Sequence, residues 1–255
     1  MQYATYATWR DTPEDRPLDL SVVIPAYNEQ DRIVPTIGAF AAHLSGTELA
    51  WELIVSDDGS SDATRDLIAL LGHANVRVLV ASANAGKGAA VRRGLAQARG
   101  RMVLFSDADN ATPASELDNL IARLDAGADV AIGSRAAEGA CVENRSLTRR
   151  TLTAGLRWLV RVSLGVGVKD TQCGFKLFTA PAARRIAAAQ TVEGFSFDLE
   201  VLHLAQRFGY AIAEVPVRWF DAPGSKVDTR REIVRFLTSI GRIRLHALRG
   251  VYRYA

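Results

Sequence analysis

Short apolar runs recur through the first half of the chain, each closed by a polar cluster and followed by a helical pattern. Leu20-Ser-Val-Val-Ile24, Trp51-Glu-Leu-Ile-Val55, Val76-Arg-Val-Leu-Val80, Met102 to Phe105 and Ala128-Asp-Val-Ala-Ile132 have the length and β-branched content of buried strands. Between them, apolar residues repeat at the 3.6-residue period. This predicts helices from beyond Glu29 to about His43, from Asp62 to Leu71, from Lys87 to Arg99 and from Pro113 to about Leu124. Such alternation predicts an α/β fold: a Rossmann-like, mostly parallel sheet flanked by helices. After Ser134-Arg135 the rhythm breaks. A basic, helical stretch over 145–166 comes next, then Asp170-Thr-Gln-Cys-Gly-Phe-Lys-Leu-Phe178. A helix near 198–207, a strand near 211–219 and a Gly224-Ser-Lys226 turn follow. There is no internal repeat.

The organisation expected from this pattern is an N-terminal tail over 1–17, one domain over 18–228 and a C-terminal basic amphipathic helix over 229–255. In that last helix Ile233, Leu237, Ile240, Ala247 and Val251 share one face. Arg231, Arg235, Arg242, His246, Arg249 and Arg253 line the other. This shape suits either an interfacial helix at an anionic membrane surface or one that covers a core with a solvated basic face.

Composition changes the picture little. The 255 residues are 48% hydrophobic and 23% charged, ordinary for a soluble domain, and a net charge of +3 gives no reason to expect nucleic acid as a partner. The charge is uneven, because eight Lys/Arg and only two acids lie from Lys226 onward. Two cysteines and no apolar leader segment argue against a disulfide framework and for reduced thiols in the cytosol. The apolar stretch over 152–168 is interrupted by Arg157 and Arg161, so no transmembrane span is expected.

The polar clusters carry the candidate chemistry. Each follows a strand, and in a parallel sheet the carboxyl ends of the strands share one rim, where open α/β folds bind ligands. Pro25-Ala-Tyr-Asn-Glu29 follows the first strand and reads either as a helix start capped by Asn28 or as a ligand contact. Ser56-Asp-Asp-Gly-Ser-Ser-Asp62 follows the second. Ser60 or Ser61 is a natural cap and Asp62 a first-turn acid, which leaves the adjacent charges of Asp57 and Asp58 needing donors, solvent or a cation. Asn84-Ala-Gly-Lys-Gly88 lacks the P-loop pattern. It is either a flexible turn or an anion-binding helix start. The absence of Gly-x-Gly-x-x-Gly after the first strand excludes the usual dinucleotide fingerprint. The fourth strand delivers Asp107-Ala-Asp109, two hard oxygen ligands suited to Mg²⁺ or Mn²⁺ held jointly with substrate phosphates. Two acidic loops, a basic loop and a metal suit a nucleotide diphosphate.

Together with Gly133-Ser-Arg135, these motifs resemble family 2 glycosyltransferases of the GT-A fold. Asp170–Phe178, Phe195-Ser-Phe-Asp-Leu-Glu200 and Glu214-Val-Pro-Val…Gly224-Ser-Lys226 resemble the dolichyl- or polyprenyl-phosphate sugar synthases, more the glucosyl than the mannosyl type. The resemblance runs from about Leu20 to Lys226. It implies a metal-dependent, inverting hexosyltransferase that moves a sugar, glucose by this likeness, from a UDP-sugar to a polyprenyl phosphate. Its implied place is cytoplasmic, peripheral at the cytoplasmic face of a membrane or beside a membrane partner protein. By resemblance, Pro25, Tyr27, Glu29 and Asp58 hold uracil and ribose, and Lys87 lies in the loop closing the nucleotide pocket. Asp107 contacts ribose or sugar and joins Asp109 at the metal. Arg135 and Lys226 face phosphates, and Asp170 and Gln172 lie beside donor sugar or acceptor. Ala111 stands where mannosyl-type members carry a further ligand. A soluble or saccharide acceptor, or an inactive sugar-nucleotide-binding module, are the competing readings. A hydroxyl acceptor requires a carboxylate base, for which Asp170 and Asp198 are the candidates.

Overall fold

The computed structural model describes residues 14–142, 155, 158–220 and 229–253. Among the described residues nine strands form: β1 (Leu20–Ala26), β2 (Trp51–Asp57), β3 (Val76–Val80), β4 (Met102–Ser106), β5 (Val130–Ser134), β6 (Cys141–Val142), β7 (Phe175–Thr179), β8 (Ile212–Pro216) and β9 (Arg218–Trp219). The labelled helices are α1 (Ile33–Leu44), α2 (Thr64–Leu71), α3 (Lys87–Gln97), α4 (Leu117–Asp125), α5 (Ala180–Ala189), α6 (Phe197–Arg207) and α7 (Thr229–Leu248). A further helical segment covers 158–164.

Seven strands make one sheet in the order β3-β2-β1-β4-β7-β5-β8. The expected strands fall within two residues of their observed positions. The sheet is parallel on either side of β7, which runs antiparallel to both β4 and β5. The stretch expected as one strand over 211–219 is two. β8 pairs with β5, then the chain leaves the sheet and β9 pairs with β6 in a small ribbon.

Helices on both faces explain why the central strands read as continuous apolar runs. On β1, Val22 and Ile24 join the cluster beneath α1, with Phe40, Leu53, Leu104 and Leu177. Val23 points to the other face, with Val91, Leu95, Phe105 and Phe178. Each of these side chains is essentially inaccessible, and burying one contributes about 1.5–3 kcal/mol.

The C-terminal apolar stripe does not go to one place. Ile240 and Ile243 of α7 are buried in the core with Tyr252, and Phe236 and Ala247 pack against it. Leu237 and Val251, expected on the same face as Ile240, remain exposed, together with Val234, Leu245 and Leu248. His246, expected on the basic face, turns inward to Thr191 (3.1 Å). The helix therefore covers the core along a stripe rotated from the expected one, and keeps a second, exposed apolar line.

Candidate active site

The site is assembled where β1, β2 and β4 end on the same rim. Ala26 O accepts from Asp58 N, toward β2, so the nitrogen of Pro25 turns toward β4, whose ladder with β1 has ended at Val23. A proline in a central strand costs no ladder bond there. Beyond it, Asn28 adopts a left-handed φ of 55°. Asn28 is not the cap expected for α1, whose N-cap residue is Arg32. Its side chain instead accepts from Ser61 N (2.9 Å), and its own N–H donates to Ser60 Oγ (2.9 Å). Two loops that looked like independent caps are thus stitched to each other. The expected Ser60 or Ser61 cap is likewise absent, since Asp62 accepts from Thr64 N at the start of α2.

The adjacent Asp57 and Asp58 charges are met by donors. Asp57 accepts from Gly59 N and Ser60 N, while Asp58 Oδ2 accepts from Ala85 N (3.0 Å) and Gly86 N (2.6 Å). Asp58 is buried, yet its Oδ1 accepts no hydrogen bond and has only Arg93 Nη2 at 3.5 Å. That leaves an unfilled acceptor between the second and third loops. Tyr27 stands exposed at the rim.

Asp107 and Asp109 flank a small cavity of about 10 Å³, lined also by Ser106, Ala111, Thr112, Gly174 and Trp219. Lys87 Nζ pairs with Asp107 at 2.6 Å and sits 5.6 Å from the Phe105 ring centroid. Burial pulls the Lys87 ammonium down, but Asp107 and Asp198 outweigh it and hold it above its usual value. Asp109 is pushed up by burial and by the charge of Asp107. Glu29 is pushed up by burial against the pull of Arg32, with Asp109 and Asp107 adding to the rise. Three carboxyls thus crowd one corner, and a divalent cation would relieve them. Among the described residues no group of three or more His, Cys, Asp or Glu is placed to hold a metal ion by itself. The two aspartates fit a site completed by substrate oxygens.

Gly174 explains how the Asp170–Phe178 motif serves this corner. A Cβ there would lie 2.0 Å from Asp107 Oδ2, and Gly174 O accepts from Asp107 N (3.0 Å). Behind it, Arg135 grips Asp170 through Nε (2.7 Å) and Nη2 (2.9 Å), and the Arg135 N–H adds a third bond. Burial raises the Asp170 carboxyl, but the Arg135 hydrogen bonds and charge more than offset that and hold it at about 2. Gln172 is exposed and donates its N–H to Asp170. Asp198 is buried against Lys176, which also donates to Cys173 O. Lys226 and Arg145, Arg149 and Arg150 lie outside the described residues.

Four contributors were not read from sequence. Arg32 clamps Glu29 through two 2.7 Å bonds, and an acid followed three residues later by a base could have signalled it. Arg93 donates to Ser56 Oγ and Asp57 O. Lys176 and Trp219 act through partners distant in sequence and gave no local signal.

A doubly wound sheet with acidic loops and an Asp-X-Asp at its carboxyl edge defines a nucleotide-sugar type of site. The family model described as Glycosyl transferase family 2 matches residues 21–192, and the chain belongs to that family. It is 36% identical over 249 residues to a dolichyl-phosphate beta-glucosyltransferase of Dictyostelium discoideum, covering 92% of this chain and 76% of that protein. The Drosophila melanogaster protein of the same name is 40% identical over 241 residues, covering 88% and 72%. The Homo sapiens one is 36% identical over 250 residues, covering 92% and 77%. A structural neighbour is glucosyl-3-phosphoglycerate synthase from Mycobacterium tuberculosis, crystallised with Mn²⁺ and UDP-glucose. It superposes with a TM-score of 0.64 at 23% identity, covering 94% of this chain and 83% of that one. This likeness shows the shared GT-A fold.

Proposed function

We propose that this chain transfers glucose from UDP-glucose to a polyprenyl phosphate of the dolichyl type, inverting the anomeric carbon, with a divalent cation at Asp107 and Asp109. The relatives named for this reaction support the reading, and so does one structural observation. Both carboxylates that would serve a hydroxyl acceptor as general base are already committed to cations: Asp170 to Arg135 and Asp198 to Lys176. A carboxyl held at about 2 is a poor proton acceptor at neutral pH. A phosphate monoester, with a second pKa near 6, arrives largely deprotonated and needs none.

In this reading a phosphate oxygen attacks C1, the C1–O bond to the β-phosphate breaks, and the electron pair departs with UDP. The cation, whether Mg²⁺ or Mn²⁺, supplies Lewis-acid stabilisation of the leaving diphosphate. Asp58 holds the uracil through its free Oδ1, with Pro25, Tyr27 and Glu29 around the base and ribose. Lys87 gives up part of its hold on Asp107 to face the diphosphate. Arg135 spends Nε and Nη2 on Asp170, which leaves Nη1 to an acceptor oxygen. The work is positioning and charge compensation.

The acceptor's lipid tail calls for a bilayer beside the site. Exposed Trp158 and Val162, with the exposed line Val234, Leu237, Leu245 and Leu248 on α7, supply an apolar surface. Exposed Arg161, Arg242, Arg244 and Arg249 border it. Among the described residues no helix is long and apolar enough to cross a membrane. We place this surface peripherally, at a cytoplasmic leaflet.

The direct test is UDP release from a panel of UDP- and GDP-sugars, with Mg²⁺ or Mn²⁺, with and without a short polyprenyl phosphate in detergent. Lipid-dependent release from UDP-glucose is expected. Release only with a soluble acceptor would overturn the lipid assignment, and no release from any donor would overturn the enzyme reading.

A further inference from the structure

Among the described residues Trp219 is the one aromatic side chain lining the cavity between Asp107 and Asp109, and it belongs to none of the sequence motifs. Its position is built rather than incidental. β9 leaves the main sheet and pairs Arg218 with Cys141 and Trp219 with Val142. The next residue donates its N–H to Ala111 O (2.9 Å), tying the end of β9 to the loop that carries Asp109. Arg218 is anchored to Glu116 and to Ser115 Oγ at the start of the following helix. The Arg135 guanidinium lies 5.4 Å from the Trp219 ring centroid while it grips Asp170. The indole therefore stands between the two halves of the site, the metal carboxylates on one side and the Arg135–Asp170 pair on the other.

Resting on the donor reading above, the geometry points to Trp219 as a specificity-determining residue that packs against the transferring sugar ring. The reason is connectivity. A cation held by Asp107 and Asp109 would draw the diphosphate to this corner, and the hexose is joined to the diphosphate through a single oxygen. The ring must then lie against whatever walls the carboxylates on the Arg135 side. Of the other lining residues Ser106, Ala111, Thr112 and Gly174 are small, so the indole is the one large flat surface there. Aromatic rings present a flat apolar face well matched to the C–H face of a hexose, and ligand pockets combine such walls with a few placed polar groups. The Arg135 guanidinium lies over the indole ring, so the opposite face is the one left to the sugar.

The test compares binding of UDP and UDP-glucose to the full chain by calorimetry with Mn²⁺, for wild type, Trp219→Phe and Trp219→Leu. Contact with the sugar predicts that Trp219→Leu binds UDP within about twofold of wild type but loses about tenfold in UDP-glucose affinity, with Trp219→Phe recovering most of it. Discrimination between UDP-glucose and UDP-galactose should fall in parallel. Equal loss for UDP and UDP-glucose would show that Trp219 only braces the acidic loop and would overturn the inference. Unchanged UDP-glucose preference in Trp219→Leu would overturn it too. A wild-type chain that fails to bind UDP at all would defeat the donor reading itself, an outcome distinct from either.

Discussion

Asp198→Asn separates a structural ion pair from a catalytic base, because the two roles predict opposite outcomes. The substitution keeps shape and removes charge. Lys176 is fully inaccessible, so its ammonium would lose its countercharge while keeping only Cys173 O and the new amide as partners. Breaking one side of a buried pair typically costs about 3–5 kcal/mol, against a total stability of about 5–15 kcal/mol for a domain. The expected result is a urea midpoint shifted down by about a fifth or more of its value. Turnover per folded molecule should stay within a few-fold of wild type, measured below the transition. Lys176→Met with Asp198→Leu removes both charges and should restore most of the stability, since paired buried ions roughly break even against apolar replacements. An Asp198→Asn protein of wild-type stability but without turnover would refute the structural assignment and reinstate Asp198 as a base.

Three other outcomes follow from the same geometry. The Asp170 carboxyl lies at about 2 when folded and near 3.9 when unfolded, so the pair contributes stability that is complete above about pH 5 and is lost as pH falls toward 2. The amount is about 2 kcal/mol, and an acid titration of urea midpoints should lose that limb in Asp170→Asn. Gly174→Ala places a methyl on the Asp107 carboxylate and should weaken Mn²⁺-dependent UDP binding at least about tenfold with little change in metal-free melting; unchanged binding would contradict the close approach. Neutralising Arg242, Arg244 and Arg249 should reduce sedimentation with anionic vesicles by about 1 kcal/mol per residue, and intact binding would leave the proposed bilayer face without support.

Where local pattern and tertiary context agree, the chain is legible. Four of the five strands announce themselves as unbroken buried runs, the edge strand β3 is half-buried, and the acidic loops fall where parallel strands must end. The antiparallel β7 is not legible. Phe175–Thr179 reads as a motif, and nothing local says that it inserts between β4 and β5. The caps failed for a related reason. Asn28, Ser60 and Ser61 have cap-forming side chains, but loop-to-loop bonds won over helix-end bonds because two loops of the rim meet there. The bidentate Arg135–Asp170 pair spans 35 positions and Lys176–Asp198 spans 22, distances at which composition carries no signal. The α7 stripe was rotated because periodicity finds apolar residues but cannot choose which of two apolar lines meets the core.

The central claim is that the acceptor brings its own negative charge and the protein supplies no base. It is tested most directly by the pH dependence of kcat/KM with UDP-glucose and two short polyprenyl acceptors, one a phosphate and one a phosphonate of higher second pKa. An acceptor that must be dianionic predicts a single acid limb near pH 6 for the phosphate, moving upward with the phosphonate. An acid limb fixed at the same pH for both acceptors would belong to a protein group, and would contradict the claim.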